Sequence, residues 1–170
     1  MSTPFTVQLR TFKSGDAPNL VRIANNPKIA ANLRDGFPHP YTYEHAEKFI
    51  LMAMHDRKSK VFAIEWEGQH VGNVGLHRKD DIYRNTAEIG YFIGEDYWGK
   101  GIASLAVAQA VRYGFEEMDL MRIDAGVFDY NLGSMRVLEK CGFQKEGIAR
   151  RAAVKLGKVL DEHRYAIVRG

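Results

Sequence analysis

Tyr97-Trp98-Gly99-Lys100-Gly101-Ile102-Ala103 stands where a stretch alternating with period two gives way to one with three-to-four spacing, so a strand ends and a long helix begins there. The first turn of a helix has unpaired backbone N–H groups, which point at whatever lies beyond its N-terminus. Gly99 and Gly101 remove side chains that would block close approach, and the helix dipole favours negative charge at that end. The segment is a candidate anion site of a kind that suits a pyrophosphate. Gly94-Glu-Asp-Tyr-Trp-Gly99-Lys100 also nearly spells a phosphate-binding P-loop. The next residue is Gly101, however, where that loop needs Ser or Thr for magnesium, and the preceding strands look like hairpins rather than a parallel βαβ sheet. A nucleotide-triphosphatase is thereby disfavoured, and a purely structural glycine turn is the plain alternative. His39, His45, His55, His70, His77 and His163 show no metal-ligand spacing, so no metal is expected. Cys141, with no histidine near it in sequence, reads as a packed thiol rather than a nucleophile.

The elements that must position this loop follow from pattern. Thr6 to Phe12 reads as a strand, and Ser14, Gly15 and Asp16 supply turn and cap residues for a helix after it. Pro27 and the segment Asp35 to Pro40 break the helical pattern around Ala30 to Arg34. Thr42 can cap a helix running to about Met54, with Ala46, Phe49, Ile50 and Ala53 on one face. Val61 to Trp66, Val71 to His77 and Ala87 to Ile93 alternate as strands, and their short connections favour antiparallel pairing. Gly101 to Met118 is a helix with a predicted stripe of Leu105, Ala108, Val111, Phe115 and Met118. Arg122 to Phe128 is a strand and Asn131 to Lys140 a helix ended by Cys141-Gly142, where glycine suits a left-handed cap. Gln144 to Val154 and Lys158 to Val168 form two more strands across a Leu156-Gly157 turn. The order describes an α/β (α+β) fold with one mixed, mostly antiparallel central sheet flanked by helices. A length of 170 residues fits a single domain over 1–170.

Three segments resemble the acetyl-CoA site of the GNAT superfamily of acyl-CoA N-acyltransferases, in that family's order. They are Glu88-Ile-Gly-Tyr-Phe-Ile-Gly94, the loop Gly99-Lys-Gly-Ile-Ala103, and Asn131-Leu-Gly-Ser134 with Leu138-Glu-Lys-Cys-Gly-Phe143. The chain resembles in particular the branch containing the ribosomal-protein N-acetyltransferases, from about Phe5 to Val168. The resemblance implies a GNAT-like fold and acetyl-CoA as co-substrate. Trp98, Gly99, Lys100, Gly101, Ile102, Ala103 and Ser104 would surround its pyrophosphate, and Phe92 and Ile93 would line its pantetheine arm. Asn131 and Ser134 would approach the acetyl end. Trp98 departs from the family's usual Gln or Arg, a change common in this branch. The implied reaction moves the acetyl group to a primary amine, on a protein N-terminus or a small molecule, by direct attack in a ternary complex. The region corresponding to Asn32–Tyr41 covers the acceptor in the family, which makes Arg34, Phe37 and Tyr41 candidate substrate-binding residues. The same aromatic residues can equally pack onto the core.

Attack on a thioester needs a neutral amine, and a lysine-like group with a pKa of about 10.4 is neutral in only roughly one molecule in 2,500 at pH 7. Glu88 is the candidate base: Ala87, Ile89, Tyr91 and Ile93 share one face of their strand, and Glu88 shares the other with Gly90 and Phe92. Its plain alternative is an edge glutamate in water or a salt bridge with Arg78 or Arg122. The departing thiolate benefits from a donor, yet Leu138 stands where many GNAT enzymes place a tyrosine. Ser134, one turn earlier on the same face, has a counterpart serine in this branch and is the candidate in its place. The ordinary reading of Asn131 and Ser134 is an N-cap and a first-turn serine. Loss of the tyrosine also permits a second function, a non-catalytic acyl-CoA-binding sensor or regulatory module.

The composition narrows the partners. Twenty-four basic and 21 acidic residues are interspersed, and the net charge of +3 makes no nucleic-acid footprint. Met1 to Thr11 lacks the basic start and apolar run of a leader, and no stretch approaches a membrane span, so neither nucleic acid nor membrane is expected as a partner. One cysteine excludes an internal disulfide and fits a reducing, cytoplasmic setting. The pattern does not choose among acceptors or oligomeric states.

Overall fold

The computed structural model describes residues 6–170; the first five positions of the segment read as lacking a leader, including the Phe5 start of the resemblance, lie outside the described residues. The described strands are β1 (Val7–Arg10), β2 (Ser59–Trp66), β3 (Gln69–Arg78), β4 (Thr86–Ile93), β5 (Arg122–Phe128), β6 (Gln144–Lys155) and β7 (Lys158–Val168). They form one sheet in the order β1-β2-β3-β4-β5-β7-β6. Adjacent pairs are antiparallel apart from β4 and β5, which run parallel over Thr86–Glu88 and Arg122–Asp124. The helices are α1 (Ala17–Ala24), α2 (Pro27–Ala30), α3 (Tyr43–His55), α4 (Ile102–Glu116) and α5 (Leu132–Lys140). None is long and apolar enough to cross a membrane among the described residues.

Period-two alternation puts a core on each face of the sheet. Phe62 and Ile64 of β2, with Ala87, Ile89 and Ile93 of β4, join α4 and α5 residues such as Val107 and Leu138 on one face. Val61 and Ala63 of β2 face the other way, against Leu20 and Ile23 of α1 and Ala46 and Ile50 of α3. Phe92 packs against this second cluster, so β4 contributes to both.

Two sequence expectations are corrected. Leu105 is 49% exposed and Ala108 is also exposed; α4 instead buries Ile102, Ala106, Val107, Ala110, Val111 and Gly114. Small residues let the helix lie close to the sheet: a Cβ at Gly114 would stand 2.9 Å from the Cδ1 of Ile123. Pro27 begins a helical turn rather than breaking one. Asn26 caps α2 by accepting the Lys28 N–H, and Pro27 fills a first-turn position where no N–H is needed.

Candidate active site

β4 and β5 stay paired only as far as Glu88 and Asp124, although both strands run on, to Ile93 and Phe128. A cleft of about 520 Å³ occupies the interval, a volume typical of small-molecule sites. Ile89 to Ile93 form one wall and Ala125, Gly126 and Val127 the other. Trp98 to Ser104 close one end, while Asn131, Gly133, Ser134 and Val137 line it from the start of α5. Every residue the sequence assigns to cofactor binding lies on this lining: Phe92, Ile93, Trp98 to Ser104, Asn131 and Ser134.

The loop geometry follows from its glycines. Gly99 has φ +73° and Gly101 φ +77°, left-handed values that strain an L side chain, and a Cβ at either would meet nothing within 4 Å. Gly101 is also the N-cap of α4 and offers no side chain to its first-turn N–H groups. These donors remain available to an anion, reinforced by the dipole. The Trp98 indole N–H donates to the Ile93 carbonyl at 2.7 Å, pinning the loop to the end of β4, and its ring stays 45% exposed. The Lys100 ammonium sits 5.6 Å from the centre of the Trp66 ring. Glu95, just before the loop, accepts from the Asn26 amide at 2.6 Å and pairs with Lys28, which ties α2 to this end of the cleft.

At the other end, the Asn131 side chain accepts the Ser134 N–H at 3.3 Å and caps α5. Ser134 Oγ lies 2.7 Å from the Tyr91 hydroxyl, which also donates to the Ser134 carbonyl at 3.3 Å. Burial pushes Tyr91 up to about 12, so its hydroxyl keeps its proton throughout the neutral range. Leu138 is fully buried.

Glu88 extends from the sheet face opposite α4, and its carboxylate accepts from Arg34 at 2.6 Å. This corrects the expected partners. Arg78 donates to the Arg84 and Met118 carbonyls, and Arg122 pairs with Glu146 and Asp124. Phe37 stacks on Tyr41 at 5.0 Å between ring centres and meets Phe92 edge-on at 5.5 Å. Tyr41 is 4% exposed and belongs to the second core. Arg34, Phe37, Tyr41 and Glu88 stand outside the cleft lining, behind or beside the Gly90–Phe92 wall.

Sequence reasoning missed three features. Tyr91 reads as an apolar member of the core face, and the only signal is that a buried tyrosine hydroxyl requires a partner. Glu162 of β7 lies over Gly126, where a Cβ would stand 2.6 Å from its carboxyl carbon, and it brings a second carboxylate to the Glu88 face. Tyr130 donates to the Ala31 carbonyl, holding the segment after α2 across the cleft, and Ile29, Asn32 and Leu33 line that side. The two tyrosine contacts join residues 43 and 99 positions apart, and no local pattern encodes them. Among the described residues no group of three or more His, Cys, Asp or Glu side chains could hold a metal.

A mixed sheet parted at a parallel pair, with an uncapped helix start opening on the gap, is the architecture of the acyl-CoA N-acyltransferases. The chain belongs to the GNAT acetyltransferase family, whose domain model, described as acetyltransferase (GNAT) domain, matches residues 6–144. It is similar to the spermidine N-acetyltransferase from Vibrio cholerae solved in complex with CoA and spermine, at 26% identity over 95% of each chain and a TM-score of 0.82. Mycobacterium smegmatis RimJ, solved in complex with CoA-disulfide, is 27% identical over 95% of this chain and 81% of that one, with a TM-score of 0.84. Probable N-acetyltransferase YjcK of Bacillus subtilis (strain 168) is 50% identical over 98 residues, which are 58% of this chain; the match spans about half of that relative, 54%.

Proposed function

We propose that this chain is an acetyl-CoA-dependent N-acetyltransferase that moves acetyl to a primary amine by direct attack in a ternary complex. The observation that carries the reading is the cleft itself, with the anion-binding start of α4 at one end, Ser134 at the other and Glu88 on the adjoining face. Trp98 to Ser104 hold the pyrophosphate by backbone N–H groups. The exposed edges of β4 and β5 offer their amides to the pantetheine arm, with Phe92 and Ile93 along it. The amine lone pair attacks the thioester carbon, the C–N bond forms, and the C–S bond gives its electron pair to sulfur. Glu88, directly or through water, receives the amine proton once Arg34 has swung aside. Ser134 presents its hydroxyl hydrogen to the departing sulfur, a task Leu138 has no group to perform.

Arg34 meets the acceptor at the mouth, while Phe37 and Tyr41 support the Phe92 wall. The acceptor is a primary amine, whether a protein N-terminus or a small molecule; the similar spermidine N-acetyltransferase from Vibrio cholerae supports the small-molecule kind. One acetyltransferase domain over 1–170 and a cytoplasmic setting, with Cys141 left free, complete the reading. A non-catalytic acyl-CoA sensor is the second reading, favoured by the buried Leu138.

Free-thiol release from acetyl-CoA across a panel of primary amines tests both. The transferase reading predicts amine-dependent release that falls sharply in Glu88→Gln and Ser134→Ala while CoA affinity is kept. CoA binding with no release on any amine supports the sensor and overturns the transferase.

A further inference from the structure

We propose that Tyr91 is a positioning residue, whose hydroxyl donates to Ser134 Oγ and so turns the Ser134 hydrogen into the cleft toward the reacting sulfur. The inference rests on the transferase reading and assigns a role to a side chain that reading does not use. Three observations carry it. Tyr91 and Ser134 both line the cleft. Their oxygens stand 2.7 Å apart, whereas the Ser134 carbonyl oxygen lies 3.3 Å from the same phenol, so the shorter contact is hydroxyl to hydroxyl. The Ser134 backbone N–H is already taken by the Asn131 cap, which holds the first turn of α5 in place and leaves the side-chain rotor as the remaining freedom.

Two hydrogen arrangements fit this geometry. In one, Tyr91 donates to the carbonyl and Ser134 donates to Tyr91, which turns the serine hydrogen away from the cleft. In the other, Tyr91 donates to Ser134 Oγ and the serine hydrogen is free to face the cleft. A phenol is the stronger donor of the two hydroxyls, and a negative sulfur in the cleft favours the second arrangement further, because each hydrogen bond in the chain then polarises the next. As the C–S bond breaks, its electron pair goes to sulfur, Ser134 Oγ–H hydrogen-bonds that sulfur, and Tyr91 Oη–H hydrogen-bonds Oγ. Glu88 releases the amine proton to solvent and water at the cleft mouth returns one proton to the sulfur, so the thiol is completed, no hydroxide is left over and neither hydroxyl ends the cycle ionised. Tyr91 stays protonated throughout the neutral range as an ordinary tyrosine does, and burial extends that range upward, so its hydroxyl is a constant donor. The two hydroxyls together thus supply what a single tyrosine at the Leu138 position would.

The test is a double-mutant cycle on the full chain, with steady-state thiol release as the readout. Tyr91→Phe keeps the ring and removes one neutral hydrogen bond, and we expect kcat to fall about five- to tenfold. The KM for acetyl-CoA and the Kd for CoA stay within twofold. The Tyr91→Phe, Ser134→Ala double variant is no slower than Ser134→Ala alone, because the phenol acts only through the serine. Replacing Tyr91 by 3-fluorotyrosine keeps the hydroxyl and strengthens it as a donor, so kcat rises above the wild-type value, and a kcat at or below wild type counts against the proposal; this arm decides the matter if Tyr91→Phe fails to fold. Additive losses in the double variant, a Tyr91→Phe kcat within twofold of wild type, or a loss confined to CoA affinity overturns the proposal alone. Wild-type protein that releases no thiol with any amine overturns the transferase reading and this inference together.

Discussion

Replacing Gly101 by alanine separates the cost of backbone strain from the cost of a blocked ligand. Gly101 has φ +77° and Gly157, in the β6–β7 turn, has φ +75°; a Cβ at either meets nothing within 4 Å. In both variants the protein therefore bears the left-handed penalty of an L residue, roughly 1–2 kcal/mol, with no clash added. For a chain of this size each kcal/mol lowers Tm by about 2–4 °C, so both should lose about 2–8 °C in a thermal-unfolding scan. Only Gly101 borders the cleft, at the first N–H groups of α4, where we propose that the phosphate oxygens bind. A methyl group there lengthens those charge-assisted bonds, and losing one such bond, worth about 1.5–3 kcal/mol, weakens CoA binding by about ten- to a hundredfold in calorimetry. Gly157→Ala leaves the Kd for CoA unchanged. Equal affinity losses in the two variants, or none in Gly101→Ala at matched Tm loss, would refute the assignment of this loop to the pyrophosphate.

Arg34→Ala removes a surface ion pair whose arginine side chain is 73% exposed, so stability should change by less than about 1 kcal/mol while the acceptor KM shifts and that for acetyl-CoA does not. Steady-state kinetics with each substrate varied in turn checks this. Burial pushes Tyr41 up to about 12 from its ordinary 10, so above pH 10 the unfolded chain loses a proton that the folded chain keeps. Stability from this group is complete below pH 10 and falls as pH rises towards 12, at about 1.4 kcal/mol per unit, and Tyr41→Phe should flatten that part of a denaturant-melt pH profile. Burial likewise raises the Cys141 thiol, whose Sγ donates to the Ser104 carbonyl at 3.3 Å. Iodoacetamide at pH 7 should therefore alkylate Cys141 more slowly than it does a free cysteine, as followed by mass spectrometry.

The strands and their hairpins were legible because period-two alternation is local, and Arg122–Phe128 and Lys158–Val168 match the observed elements end to end. The turn and helix start of the glycine loop were legible because both signals lie within a few consecutive residues at a strand-to-helix junction. The face of α4 was misread, since Leu105 and Phe115 outweigh Ala106, Ala110 and Gly114 in apolar size, yet the small residues are the ones that let the helix approach the sheet. The partner of Glu88 was missed for a different reason. Arg34 lies 54 positions away on an irregular segment, and neither its distance nor its direction follows from spacing. Tyr91 fell on the expected face, but pattern reports the face of a side chain and not the contact its hydroxyl makes.

The most direct test of the account is a titration of the purified chain, by calorimetry and thermal unfolding, with acetyl-CoA, free CoA and ATP-magnesium in parallel. The account predicts one-site binding of both CoA species, with stabilisation of about 2.7 kcal/mol at 100 times the Kd, and no response to ATP-magnesium. No binding of acetyl-CoA at millimolar concentration would contradict it and leave Trp98 to Ala103 as a glycine turn alone.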